Sequence, residues 1–213
     1  MTSSSDEQAL QGPVVRCVGV VAVEGMPGAG KTTAMTVLAD RGHNVLGEYT
    51  DDHARSLTLA AHPHHHDEHP HLANWLRKDL QACRLARASG VIMDRNWLTA
   101  LGWAASVGGL PDRARWAYSQ LVAGRLTLPE RWIILDCTVE TSVTRRREQL
   151  DPTHPWAHKE PLDRLRTFYS DPAATVRPAL RALADALATV PVVRIDAEAD
   201  RDAVGHAVYE VTP

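Results

Sequence analysis

The chain predicts an α/β domain, a five-stranded parallel sheet with helices on both faces and a helical lid. Three observations carry this expectation. Short β-branched runs alternate with longer amphipathic stretches along the 213 residues, the order expected when each strand returns through a helix. The runs are mostly apolar rather than alternating, which suits strands covered on both sides. The first run ends in a glycine-rich turn, "GMPGAGKTT", that leads into residues able to begin a helix.

The elements follow in order. A β-branched strand over 14–24 feeds the glycine turn, and a helix over 31–40 starts where the turn ends. A short strand over 43–48 precedes a helix over 71–88, in which Gln81 and Arg84 share a face while Trp75 falls off it. "VIMD" at 91–94 is the third strand; helices over 97–107 and 112–124 follow, with Trp97 and Trp103 as core residues. The run at 131–136 is the fourth strand, and Thr138 caps a helix over 139–149. Helices over 161–169 and 173–188, a strand over 192–196 and a helix over 201–210 complete the domain. Two segments break the pattern, "AHPHHHDEHPH" and "LDPTHPWAHKEP", where α/β enzymes carry mobile loops.

Composition narrows the class of function. The length fits one domain, 14–213, with a lid near 145–160 inside it and a disordered tail over 1–13. A net charge of -3 argues against a nucleic-acid polymer as partner, and no apolar run is long enough to span a membrane. The tail lacks the features of a signal peptide, so a cytoplasmic protein acting on small molecules is expected. Cys17, Cys83 and Cys137 are far apart and without CxxC spacing, which signals neither a disulfide framework nor a zinc site. The histidines of 62–71 read as a loop over the acceptor pocket, with imidazoles that titrate near neutrality, rather than as a defined metal site.

The glycine turn carries the chemistry. Gly25-x-x-x-x-Gly30-Lys31-Thr32 fits the pattern GxxxxGK[ST] throughout. Glycines let backbone N–H groups turn inward around a polyphosphate, the lysine reaches the terminal phosphates, and the threonine hydroxyl holds Mg²⁺. Gly25, Gly28, Ala29, Gly30, Lys31, Thr32 and Thr33 are therefore the expected nucleotide-binding residues, and the fold is expected to be that of the P-loop NTPases. The sequence contains no guanine-reading NKxD, and motors and helicases are usually longer. A compact phosphotransferase remains.

Four blocks then resemble the thymidylate kinase and deoxynucleoside kinase group. "VEGMPGAGKTT" resembles its phosphate loop, "GVIMDRNWLTALGWA" its third strand with an Asp-Arg pair, "WIILDCTVETSVTRRRE" its fourth strand and arginine-bearing lid, and "VVRIDAEADRDAV" its last strand and adenine turn. The resemblance implies that Arg95 contacts the acceptor or its phosphate, that Asp94 joins Thr32 in holding Mg²⁺ or orients water, and that the lid arginines of the run 145–147, Arg145 and Arg147 among them, surround the migrating phosphate with Lys31. It implies a general base at Glu48, with Asp51 and Asp52 as alternatives, and a base-reading glutamine at Gln81. The chain departs from the group at Pro27, where thymidylate kinases carry an acidic residue, and at Tyr49, where deoxynucleoside kinases carry proline. The expected activity is transfer of the γ-phosphate of ATP to a nucleoside or nucleoside monophosphate. A non-nucleotide hydroxyl acceptor and a non-catalytic nucleotide switch are the alternatives, and the helices of 97–124 are the place for a homodimer contact.

Overall fold

A computed structural model of the protein describes residues 12–53, 55, 57, 67–148 and 151–212. Its sheet contains β1 (Arg16–Gly25), β2 (Asn44–Leu46), β3 (Val91–Asp94), β4 (Leu128–Asp136) and β5 (Val192–Asp196), in the order β2-β3-β1-β4-β5. Every pairing is parallel. This is the fold of a P-loop NTPase, as the sequence predicts.

β1 lies at the centre because its second half, from Val20 onward, is apolar enough to be buried on both faces. The register places Val23 beside Asp94 and Gly25 beside Leu135. One carboxyl edge of the sheet therefore collects the glycine turn, the end of β3 and the end of β4, the edge where ligands bind in open sheets. Gly25 is needed at that meeting point: its φ is 136°, and a Cβ there would lie 2.4 Å from the Leu135 carbonyl oxygen.

The helices are α1 (Lys31–Asp40), α2 (Glu68–Ala86), α3 (Leu98–Val107), α4 (Leu110–Val122), α5 (Val139–Arg146), α6 (Lys159–Ser170), α7 (Pro172–Val176), α8 (Arg181–Ala188) and α9 (Arg201–Glu210). Their starts have local causes. Gly30, at φ 92°, turns the chain into α1; Asp67, Thr138, Asp171 and Asp200 cap α2, α5, α7 and α9 by accepting backbone N–H bonds. The core between sheet and helices is centred on Trp97, Trp132, Phe168, Met26 and Leu38, all fully buried. Trp97 meets Trp132 edge to face, 6.3 Å between centroids, and donates its indole N–H to the Thr127 carbonyl.

Four expectations change. β2 is three residues long, so Glu48 stands in the bend beyond it. The helix expected over 173–188 is two helices, because Pro178 has no N–H to continue α7 and restricts Arg177 before it. The helix expected over 139–149 stops at Arg146, and within the lid region a 3₁₀ turn at Pro155–Ala157 precedes α6. Cys17 and Cys83 form a disulfide between β1 and α2, their Cα atoms 5.9 Å apart, while Cys137 is buried and free. Sequence separation hid that pair, since contact depends on how α2 lies along β1. Among the described residues no helix is long and apolar enough to cross a membrane. Of the large apolar side chains in 97–124, Val107 is exposed.

Candidate active site

The phosphate loop ends β1 and opens α1. Gly28 and Gly30 have φ of 76° and 92°, a left-handed conformation that turns the backbone around the loop. Lys31 is buried, and its ammonium donates to the carbonyls of Gly25 at 3.1 Å and Met26 at 2.7 Å. Burial, and then the neighbouring Arg95, lower it to about 7. Ala29 is fully buried, while Thr32 and Thr33 sit in the first turn of α1, Thr32 exposed.

Asp94 and Arg95 end β3 one strand away. Arg95 is, among the described residues, the one non-glycine residue with positive φ, 63°, a conformation that costs about 1–3 kcal/mol and needs support from its surroundings. That support is visible. Its N–H donates to the Val23 carbonyl at 2.9 Å, its guanidinium donates to the Gly25 carbonyl at 3.0 Å, and the next N–H, of Asn96, donates to Glu24 Oε1 at 2.8 Å. Glu24 has no exposed surface; it also accepts from Thr99 at 2.8 Å and from the Tyr169 hydroxyl, on α6, at 2.9 Å. Burial raises its pKa, opposed by Arg95.

Glu48 approaches from the other side. Its Oε1 is 3.2 Å from Arg95 Nε, an ion pair whose N–H is not aligned into a hydrogen bond. Burial alone would lower the Arg95 pKa, yet Glu48, Tyr169, Glu24 and Asp94 together hold it above its ordinary value. Asp94 Oδ1 is buried without a hydrogen-bond partner, and burial followed by Glu48 raises its pKa. An oxygen of that kind suits a hard divalent cation, and the Thr32 hydroxyl is an oxygen donor of the same chemistry. Among the described residues there is no group of three or more His, Cys, Asp and Glu poised to hold a metal by themselves.

The lid arginines divide. Arg145 donates to the carbonyls of Ala197 at 2.7 Å and Ala199 at 2.9 Å, tying α5 to the turn after β5. Arg147 is exposed. Arg146 lies over the phosphate loop: a Cβ on Gly28 would meet its Cγ at 3.2 Å, and its Nη1 is buried without a partner. Burial and Arg95 lower its pKa, which places it in the same field as the loop cations.

Other residues named from sequence fall elsewhere. Asp51 turns back on its own loop, accepting from the His53 and Arg55 N–H groups, and Asp52 is exposed. Gln81 is bound to Thr50 and the Asp51 carbonyl, and Arg84 is exposed. Trp97 is core, whereas Trp103 is half-buried against Trp156 of the 3₁₀ turn, 5.3 Å between centroids. The histidines of 62–66 lie outside the described residues; His71, in α2, contacts the Tyr49 hydroxyl. Lys78, Asn74 and Tyr169 were not read from the sequence. The polar positions 74, 77, 78 and 81 at helical spacing were the available signal, but they stand among charges on both faces of α2.

Fold and phosphate loop together define a protein of the P-loop NTPase class. A family model described as an AAA domain, AAA_28, matches residues 20–160, and the chain belongs to that family. Among solved structures it is similar to deoxyadenosine kinase from M. mycoides with bound dATP, at 15% identity and a TM-score of 0.56, over 89% of this chain and 97% of that one. The same kinase with the products dCMP and a flexible dCDP matches at 14% identity and 0.56, over 90% and 97%. With bound dCTP it matches at 14% and 0.54, over 90% and 97%. No curated protein matches the sequence. At these identities the likeness is one of fold.

Proposed function

We propose that the protein is an ATP- and Mg²⁺-dependent kinase that transfers the γ-phosphate of ATP to a hydroxyl of a nucleoside-class acceptor. The pairing of Glu48 with Arg95 carries this reading. An acceptor phosphate needs a free arginine, whereas Arg95 is engaged by Glu48 and by the Gly25 carbonyl and lies 3.8 Å from Glu24. A hydroxyl acceptor needs a base, and the Glu48 side chain, 33% exposed, is open to one at the edge of the phosphate loop.

The residues then take these roles. Backbone N–H groups of the loop and the α1 N-terminus hold the triphosphate, with Lys31 on its terminal phosphates. Thr32 and Asp94 would hold Mg²⁺, which supplies neutralisation of charge on the phosphates when bound. Glu48 takes the acceptor proton as the hydroxyl oxygen bonds to the γ-phosphorus and the bond to ADP breaks. Arg146 faces the migrating phosphoryl group, and Arg145 anchors the 197–199 turn that flanks the adenine. Arg95 holds Glu48 in place through their ion pair.

A nucleoside acceptor is favoured by the kinase fold of the similar structures. One observation favours a non-nucleotide hydroxyl compound instead: Gln81, which the resemblance assigns to the base, is spent on Thr50 and Asp51. ADP production from Mg·ATP across nucleosides, nucleoside monophosphates and unrelated hydroxyl compounds, with Lys31→Ala as blank, tests the reading. Stimulation by nucleosides is expected. Stimulation by monophosphates but not nucleosides would overturn the hydroxyl assignment, and silence across the panel would overturn the kinase.

A further inference from the structure

Beside the apolar residues of α2 that join the core, one polar face of the helix binds backbone. Residues 74, 77, 78 and 81 fall on one side of the helix. Asn74 accepts from the Thr50 N–H at 3.3 Å and donates to the Glu48 carbonyl at 3.1 Å. Arg77 donates to the Thr50 carbonyl at 2.6 Å, and Gln81 donates to the Asp51 carbonyl at 2.7 Å. Lys78, with no exposed surface, donates to three carbonyls: Glu48 at 3.3 Å, Asp94 at 2.5 Å and Arg95 at 2.8 Å.

Buried ammonium groups are usually set against a carboxylate. Here the hydrogen-bond partners of Lys78 are main-chain oxygens, and they belong to the three residues whose side chains build the site. Successive carbonyls of an extended strand point to opposite sides. One ammonium can bind the carbonyls of both Asp94 and Arg95 because the chain leaves the strand there, with Arg95 at φ 63°. The lysine and the left-handed turn therefore require each other. The same ammonium reaches across to the segment that carries Glu48.

We propose that Lys78 is a positioning residue for phosphoryl transfer: it clamps the Glu48 segment to the Asp94–Arg95 turn and so sets how the Glu48 and Asp94 carboxylates and the Arg95 guanidinium face the phosphate loop. The role in transfer rests on the kinase reading above. The clamp itself is a statement about geometry. A purely structural lysine would be reported by stability and nucleotide binding; a positioning lysine is reported by turnover at constant nucleotide affinity.

The test compares Lys78→Met, which removes the donors at similar volume, with Lys78→Arg, which keeps charge and donors. Mg·ATP binding by calorimetry, ATP hydrolysis without acceptor, transfer from Mg·ATP to the four deoxynucleosides, and the crystal structure of each variant are measured. Expected for Lys78→Met are an ATP Kd within about threefold of wild type, a kcat lower on the order of 10²-fold, and Arg95 out of the left-handed region. Lys78→Arg is expected to recover at least about tenfold of that loss. Turnover of Lys78→Met within about threefold of wild type, turnover lost in parallel with ATP binding, or an unchanged Arg95 turn would overturn the proposal. If Lys78→Met does not fold, Lys78→Gln, whose two N–H donors on a shorter side chain cannot bind all three carbonyls, decides by the same readouts, and wild-type kcat there overturns it. If wild-type protein transfers phosphate to none of the deoxynucleosides, the nucleoside reading fails separately, and the hydrolysis rate and the Arg95 turn still decide the role of Lys78.

Discussion

Glu48 Oε1 lies 3.2 Å from Arg95 Nε, across the gap between the bend after β2 and the turn after β3. The two residues are far apart in sequence and follow neighbouring strands, since β2 pairs with β3. The contact gives a carboxylate with solvent access a fixed cation on its inner side. That arrangement fixes the carboxylate in place and leaves an oxygen for an incoming hydroxyl.

Glu48→Gln therefore lowers kcat for a hydroxyl acceptor by about 10²-fold or more, the range of a lost general base. ATP binding, which uses the loop and Lys31, changes by less than about threefold, since Glu48 takes no part in it. Steady-state turnover beside a direct ATP-binding measurement checks this. Turnover equal to wild type would remove Glu48 from the chemistry.

The lid arginines separate by orientation. Arg146→Gln lowers kcat by about 10²-fold, as expected for a cation facing a developing phosphoryl charge. Exposed Arg147→Gln stays within about twofold, as a surface change would. Arg145→Gln acts mainly on ATP affinity by loosening the turn at 197–199. If Arg147 rather than Arg146 controlled kcat, the lid would have to close in a different rotation of α5.

Lys31 stands at about 7 in the free protein because it is buried against Arg95. A bound triphosphate supplies the negative charge that raises it again. ATP binding is therefore accompanied by proton uptake at this group, increasing as the pH rises from about 7 to about 8.5. Calorimetry in buffers of different ionisation enthalpy reads the uptake. None at any pH in that window would contradict a depressed Lys31.

Asp79, buried on α2, accepts from the N–H and hydroxyl of Thr127, and burial pushes its carboxyl from 3.8 up to about 7. Its folded pKa is raised, so its contribution to stability is fully present below the unfolded value and is lost as the pH rises through about 7. Asparagine keeps an acceptor without the charge. Asp79→Asn should raise Tm at pH 8 and flatten the change in stability between pH 4 and pH 8. A Tm below wild type at pH 8 would show that the carboxylate is better solvated than this.

Much of the fold was legible in the residues. The alternation of apolar runs and amphipathic stretches specified five parallel strands, because each strand must be covered on both faces and each crossover needs a helix. The break at Pro178 was legible too, but the apolar periodicity of 173–188 outweighed it. The extent of β2 was not, since three residues of pairing leave little pattern.

The glycine turn identified itself, because a phosphate loop is built from consecutive residues whose φ values only glycine adopts readily. Glu48, Asp94 and Arg95 were named from sequence, and they meet as one cluster. What the sequence withheld was which neighbours they would find. Gln81 and Arg145 are spent on backbone carbonyls, Arg146 is the member of the run 145–147 that lies over the phosphate loop, and Lys78 joins two strand ends.

The sequence by itself determined the fold class, the phosphate loop and the order of the blocks around it, all of which depend on local spacing and on burial patterns along one chain. The tertiary structure alone decided the Glu48–Arg95 pair, the Cys17–Cys83 link, the orientation of the lid arginines and the clamp at Lys78. Each of these depends on the rotation of a helix about its axis or on the register between strands. Those variables are set by the packing of the whole core, and a rotation of one residue on a helix, about 100°, is enough to exchange a group that faces the site for one that faces solvent.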